Sequence, residues 1–232
     1  GVVGAGGGAY HAIMGTVIIT GIAALVSIPI GILAAIYLVE YGRKNRLSKA
    51  LTFFVDVMTG IPSIVAGLFA YALFVLVFGE GARAGIIGAT ALTGLMIPTV
   101  VRNTEEMLRI VPDDLREAAY ALGVPKWKTI LRVVLPTALS GIVTGVMLAV
   151  ARVTGESAPV LVLVGATPVI NWNLFEGPQN SLPLFMLQMY KEPASAEVLS
   201  RLWGAGLTLV IIIGALYLGA RLISARFSVK AD

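Results

Sequence analysis

An all-α bundle of membrane-spanning helices is the fold this sequence predicts, and three observations lead there. Of its 232 residues, 57% are hydrophobic and only 13% charged, where soluble domains carry roughly 25% charged residues. A chain so poor in charge cannot cover itself with polar surface, so lipid is its expected outer solvent. Several apolar stretches approach or exceed the roughly 20 residues that a helix needs to cross a bilayer. The period-2 alternation of a membrane barrel is absent, and helices satisfy every backbone group within themselves.

Five spans are expected: Ala12–Val39, Leu51–Phe78, Gly85–Val101, Ala138–Val164 and Leu202–Leu222. The opening GVVGAGGGAY lacks the basic region of a signal peptide. Residue 1 is Gly, which reads as the remainder of a longer chain, and five spans with an external N-terminus and no signal lead to the expectation of one more upstream helix, six spans in all. The second span is interrupted by Gly60 and Pro62 in TGIPSIVAGLFAY, residues 59–71. Transporters line sites with such breaks, because freed backbone groups must face a cavity and not lipid. Ser63 stands there as a hydrogen-bond donor, and Asp56 reads as an interfacial, structural acid. A plain proline kink is the other reading.

The third span ends on IPTVVRNTEEML, residues 97–108, where Arg102 and Glu105 share a helix face at i, i+3. An interfacial anchor is the alternative. The fourth carries AVARVTGESAP, residues 149–159, with Arg152 and Glu156 at i, i+4 on one face and Gly155 and Pro159 permitting a break. An arginine at a helix centre costs roughly 2.5–3.5 kcal/mol, so such a residue is expected to face a pore or a partner. An ion pair that only locks the bundle is the competing reading. Residues 165–201 form a long connection with a short helix, Leu182–Tyr190, flanked by Pro183 and Pro193. It is either a surface for an external protein or a lid on its neighbours. His11 stands alone and makes no metal site.

The loops orient the bundle. Arg43, Lys44, Arg46, Lys49, Arg102, Arg109, Arg116, Lys126, Lys128, Arg132, Arg221, Arg226 and Lys230 fall on one side, which is expected to be cytoplasmic. Only Arg83, Lys191 and Arg201 fall on the other, and Arg152 lies within a span. Residue 1 is then external and the C-terminus cytoplasmic. The basic balance does not point to nucleic acid, because the cations sit between apolar segments and form no patch. The absence of cysteine excludes disulfides, thiolate metal sites and cysteine nucleophiles.

The most telling segment is the connection between spans three and four. Between Pro112 and Pro136 it reads as two short helices around a hinge. Pro112, Asp113 and Asp114 make a helix start, with the acids at the positive end of the dipole. Gly123 stops the first helix and Pro125 forbids its continuation. Lys126–Leu135 follows, and Pro136 marks the start of the next span. A bare connection needs only a few residues; a long, structured, charged one suggests a docking surface.

The pattern of Glu117, Ala118, Ala119, Gly123, Val133, Leu135 and Pro136 resembles the EAA loop of ABC importer permeases, with Val133 where Ile is usual. EYGRKNRL, GIPSIVAGLFAY, VVRNTEEMLRIVPDDLREAAYALG and ARVTGESAP further resemble the A-type permease subunit family of phosphate-specific ABC importers. The resemblance implies a type I, MetI-like transmembrane domain over residues 1–232, with the coupling loop at 112–136 and the external loop at 165–201. It implies that Glu117, Ala118, Ala119, Gly123, Leu135 and Pro136 dock a cytoplasmic ATPase, and that Arg102, Glu105, Arg152 and Glu156, with Ser63 at the break, lie on the path of phosphate. The partners it implies are a homologous second permease, two ATPase subunits that bind ATP and Mg, an external phosphate-binding protein, and membrane lipid; the setting is the cytoplasmic membrane. No cofactor is expected in this chain, and without a G-x-x-x-x-G-K-[ST] loop it is not expected to hydrolyse ATP.

Physics favours phosphate over sulfate at such a site. Arginine forks suit any tetrahedral oxyanion. A carboxylate beside them repels an anion unless that anion brings a proton to donate, as monohydrogen phosphate does and sulfate does not. Sulfate or molybdate is the rival substrate class. An intramembrane enzyme is disfavoured because no span holds an internal Lys and the acids there sit beside Arg. A non-transporting scaffold gains nothing from a deep Arg152.

Overall fold

The computed structural model describes residues 8–42, 45–79 and 83–227. Arg43, Lys44 and Lys230 of the charge census, and the opening of the chain, lie outside the described residues. The described chain is helical and holds no strand. In order come α1 (Tyr10–Ile36) with a π-helical end (Tyr37–Tyr41), α2 (Arg46–Gly60), α3 (Ser63–Phe78), α4 (Gly85–Ile110), α5 (Asp113–Ala121) and α6 (Lys126–Thr129). A second π segment (Ile130–Val134) leads into α7 (Leu135–Thr154), followed by α8 (Ala158–Leu163), α9 (Leu182–Lys191) and α10 (Ala196–Phe227). Four stretches are long and apolar enough to cross a bilayer, and the broken pair α2–α3 makes a fifth.

Four of the five expected spans are present as helices with corrected bounds, and the second is a pair bent by 111° that counts as a span only if taken together. The second is two helices, because Ile61 and Pro62 interrupt it and Pro62 caps α3. The third runs past Val101 to Ile110. Hydropathy falls there, but charges three and four residues apart pair along the helix and carry it on. The fourth is continuous from Lys126 to Thr154. Pro136 therefore does not mark a helix start: it is the second residue of α7, directly after the π segment. Proline lacks a donor and crowds the carbonyl four residues back, and the widened π turn relieves both demands. The fourth span also stops short of Val164, because the chain turns at Gly155 before α8.

The contacts group into two compact units, and α1, α4, α7 and α10 each contribute residues to both. The first comprises the chain up to Ser27, Gly60–Met96 and Val150–Gly214. Here α9 fills a core of Ala12, Leu182, Phe185 and Ala205. Ser181 caps α9, accepting from the Leu184 N–H, and Thr16 Oγ1 accepts from the Leu182 N–H at 2.8 Å. The expected short helix thus exists: its first turn, Leu182–Phe185, is buried, while its far end is open at Tyr190, 76% exposed. His11 lies edge-on to Phe185, ring centroids 5.5 Å apart. Helices α3 and α8 meet where Gly67 faces Pro159; a Cβ at Gly67 would come within 2.9 Å of Pro159 Cα.

The second unit comprises Ile28–Thr59, Ile97–Ala149 and α10 from Ala215. Val100, Leu108 and Val134 are fully buried in it. Gly145 brings α7 against α4, close enough for Asn103 Nδ2 to donate to the Gly145 carbonyl at 3.1 Å.

Candidate functional site

The second unit holds a chain of alternating charges. Arg102, Glu105 and Arg109 stand on one face of α4 at i, i+3 and i+7. Arg102 Nη1 donates to Glu105 Oε2 at 2.9 Å, and Arg109 Nη2 donates to Glu105 Oε1 at 2.7 Å. Arg102 Nη2 donates to Asp56 Oδ1 on α2. The order is Asp56–Arg102–Glu105–Arg109, two acids and two cations. The Glu105 side chain is 6% exposed and that of Asp56 55%. A buried carboxylate is tolerable only when its oxygens are paired, and each Glu105 oxygen has its own guanidinium. The predicted Arg102–Glu105 pair is therefore formed, on a helix that continues beyond it. Asp56, read from sequence as an interfacial structural acid, is part of it.

Ser63, Arg152 and Glu156 belong to the first unit. Ser63 opens α3 and is half-buried, without a side-chain hydrogen bond among the described residues. Arg152 is exposed in the last turn of α7. Glu156 is not on that helix. Residues 155–157 form a turn in which the Gly155 N–H donates to the Arg152 carbonyl and the Glu156 N–H to the Val153 carbonyl, both at 3.2 Å. The shared face expected from the i, i+4 spacing does not exist, because the helix stops at Thr154. Among the described residues, Arg152 and Glu156 form no ion pair.

The loop after α4 has the predicted hinge. Asp113 and Asp114 occupy the first turn of α5 and Pro112 caps it. Gly123 has φ +76, a conformation costly for any residue with a Cβ. The Gly123 N–H donates to the Tyr120 carbonyl and the Val124 N–H to the Ala119 carbonyl, the paired bonds of a Schellman termination. Pro125 then caps α6. Glu117 and Ala118 face outward, whereas Ala119 is buried and Leu135 and Pro136 are half-buried. Leu122, Trp127 and Leu131 expose 84%, 59% and 55% of their surface, an apolar load that a solvated loop does not need.

Beneath this surface lies a second polar cluster. Arg116, next to Glu117, uses all five of its donors. Nε and Nη2 donate to Glu40 Oε1 at 3.1 and 3.0 Å, and Nη2 also to the Leu108 carbonyl at 2.9 Å. Nη1 donates to the Val111 carbonyl at 2.6 Å and to Asp113 Oδ1 at 3.1 Å. Lys126 Nζ donates to the Glu40 backbone carbonyl and sits 4.8 Å from the Tyr41 ring centroid. That carbonyl is in the last turn of the helix, where no intrahelical donor remains, so Lys126 completes it. The end of the first span is thus tied to both halves of the hinged loop.

Sequence reading passed over Asp56, Arg109, Glu40 and Arg116 as site residues. One signal was available: Asp56 is the sole acid between Leu47 and Gly79, so its retention in so apolar a stretch demands a cationic partner. Arg109 and Arg116 were visible only as loop charge. Nothing local pairs Glu40 with a residue 76 positions away.

Comparison with known proteins completes the picture. Residues 27–229 match the family described as binding-protein-dependent transport system inner membrane component. The chain is 52% identical over 217 residues to phosphate transport system permease protein PstA 1 of Mycobacterium tuberculosis strain H37Rv, covering 94% of this chain and 70% of that one. It is 40% identical over 220 residues to phosphate transport system permease protein PstA of Xylella fastidiosa strain 9a5c, covering 95% and 76%. In fold it is similar to a chain of the MetNI methionine ABC transporter, with TM-score 0.73, 19% identity and 96% and 95% of the two chains aligned. A bacterial ABC transporter involved in alginate import gives TM-score 0.68 at 14% identity, aligning 93% and 78%. The chain therefore belongs to the family of binding-protein-dependent transport system inner membrane components, the membrane-embedded permeases of such importers.

Proposed function

We propose that this chain is the permease subunit of an ATP-driven importer that moves inorganic phosphate across the cytoplasmic membrane. The observation that carries the reading is its 52% identity, over nearly its whole length, to a phosphate transport system permease. The Asp56–Arg102–Glu105–Arg109 chain supports it: a guanidinium that takes carboxylates through its outer nitrogens takes phosphate oxygens by the same geometry. Glu105 beside it accepts a hydrogen bond from the P–OH of monohydrogen phosphate and repels sulfate, which has no such donor. Ser63, Arg152 and Glu156 are proposed as further members of the path.

In this reading the chain pairs with a homologous permease, and two ATPase subunits dock on the hinged loops from the cytoplasm. Glu117 and Ala118 present the contact, Gly123 sets the hinge, and Ala119, Leu135 and Pro136 seat the loop on its own helices. An external binding protein delivers phosphate. ATP and Mg belong to the ATPase, which supplies the energy. ATP binding pulls on α5 and α6, and Arg116 passes that displacement to Glu40 at the end of the first span. The loop and C-terminus are cytoplasmic and residue 1 external. The test is uptake of labelled phosphate into vesicles holding the assembled transporter, with sulfate and molybdate as competitors. Neither is expected to compete at tenfold excess; competition at parity overturns the substrate assignment.

A further inference from the structure

The two carboxylates on Arg102 differ in how firmly they are held. Glu105 is buried and anchored on its other oxygen by Arg109. Asp56 is more than half exposed, with Arg102 as its ion-pair partner. Asp56 also lines, together with Lys49, Ser48, Thr52 and the apolar Leu38 and Phe53, an open cavity of about 860 Å³. It lies four residues before the end of α2, where the chain breaks at Ile61 and Pro62. One guanidinium nitrogen is thus filled by a buried, doubly anchored group, and the other by a group with room to leave.

We propose that Asp56 is an exchangeable counter-ion that occupies the oxyanion position of Arg102 and must be displaced by the substrate. The proposal rests on the reading of Arg102 as part of the anion path. A carboxylate oxygen and a phosphate oxygen accept from a guanidinium nitrogen in the same charge-assisted way, so a phosphate oxygen can take the place of Asp56 Oδ1 on Nη2. With both acids in place the four-residue chain is neutral and attracts no anion. When Asp56 withdraws into its cavity, beside Lys49, the remainder carries one net positive charge and an open Nη2. Asp56 therefore holds the site closed to anions until its side chain leaves Arg102, and it returns to Arg102 as the anion departs.

The experiment is equilibrium binding of labelled phosphate to the assembled, solubilised transporter without ATP, alongside uptake in vesicles. Asp56→Asn keeps the shape and removes the charge. It is expected to bind phosphate about tenfold tighter or more than the wild type, the scale of one charge-assisted hydrogen bond. Asp56→Glu, which keeps the competitor, is expected to behave as the wild type, and Asp56→Asn with Arg102→Ala to bind none. If Asp56→Asn binds no better while Arg102→Ala abolishes uptake, the exchange is wrong and the path reading stands. If Arg102→Ala transports normally, the path reading itself fails. Asp56→Ser repeats the test at smaller size. Failure of both neutral variants to assemble also overturns the proposal, because an exchangeable, exposed carboxylate is not needed for folding.

Discussion

Arg116 and Glu40 form a buried ion pair at 3.0 Å between residues 76 positions apart, with side chains 7% and 3% exposed. It joins the helix that carries Glu117 to the end of the first span. Two backbone carbonyls and Asp113 take up the remaining donors of Arg116, so neither charge is left unsolvated.

Removing one member of this pair strands the other. Arg116→Ala is expected to destabilise the second unit by about 3–5 kcal/mol, the usual cost of an uncompensated buried charge, read as a lower Tm of the purified complex. Joint replacement with apolar residues, Arg116→Met and Glu40→Leu, is expected to recover most of that stability. It should not recover coupling: ATP hydrolysis persists while uptake per ATP falls severalfold. Restored coupling in the double variant would show that the pair carries no motion.

Gly123 sits at φ +76. Gly123→Ala is expected to cost about 1 kcal/mol, and Gly123→Val more, because left-handed backbone is disfavoured for residues with a Cβ and worst when branched. Asn, which tolerates this region, should be milder. Co-purification of the ATPase subunit across Ala, Asn and Val should fall in the order Asn, Ala, Val.

Glu105 stands between two arginines. Glu105→Gln keeps its volume and removes the negative charge proposed to reject a fully deprotonated tetrahedral anion. Sulfate is expected to gain as a competitor of phosphate uptake, by tenfold or more. An unchanged ratio of phosphate to sulfate uptake in this variant, and in Glu105→Gln with Glu156→Gln, would remove the filter.

Gly67 faces Pro159 where α3 packs on α8. Gly67→Val forces a branched side chain into a gap with no room for its first carbon, at a cost of about 1–3 kcal/mol. The outcome is a Tm decrease with the second-unit charges intact, so residual uptake should keep the wild-type preference for phosphate over sulfate.

The features legible in the sequence are those written locally. The break at Ile61–Pro62, the hinge at Gly123–Pro125 and the helix start at Asp113 follow from backbone chemistry of single residues. Arg102 and Glu105 were legible because i, i+3 spacing survives on any helix. The same logic failed at Arg152 and Glu156, because Gly155 ended the helix between them. The π segment before Pro136 was not legible: a π turn repairs a local defect and has no periodic signature of its own. Asp56–Arg102 and Glu40–Arg116 were not legible either, since pairing across 46 and 76 residues is set by how helices pack and not by the pattern along any one of them.

The central claim is that Arg102 of the α4 charge chain handles the transported anion. The measurement that tests it most directly is ATP-dependent uptake of labelled phosphate by vesicles holding the assembled transporter with Arg102→Ala. Uptake should fall by at least about a hundredfold, the loss of charge-assisted bonds worth about 3 kcal/mol, while assembly and basal ATP hydrolysis remain. Uptake within twofold of the wild type, in a complex shown to be intact, would contradict it.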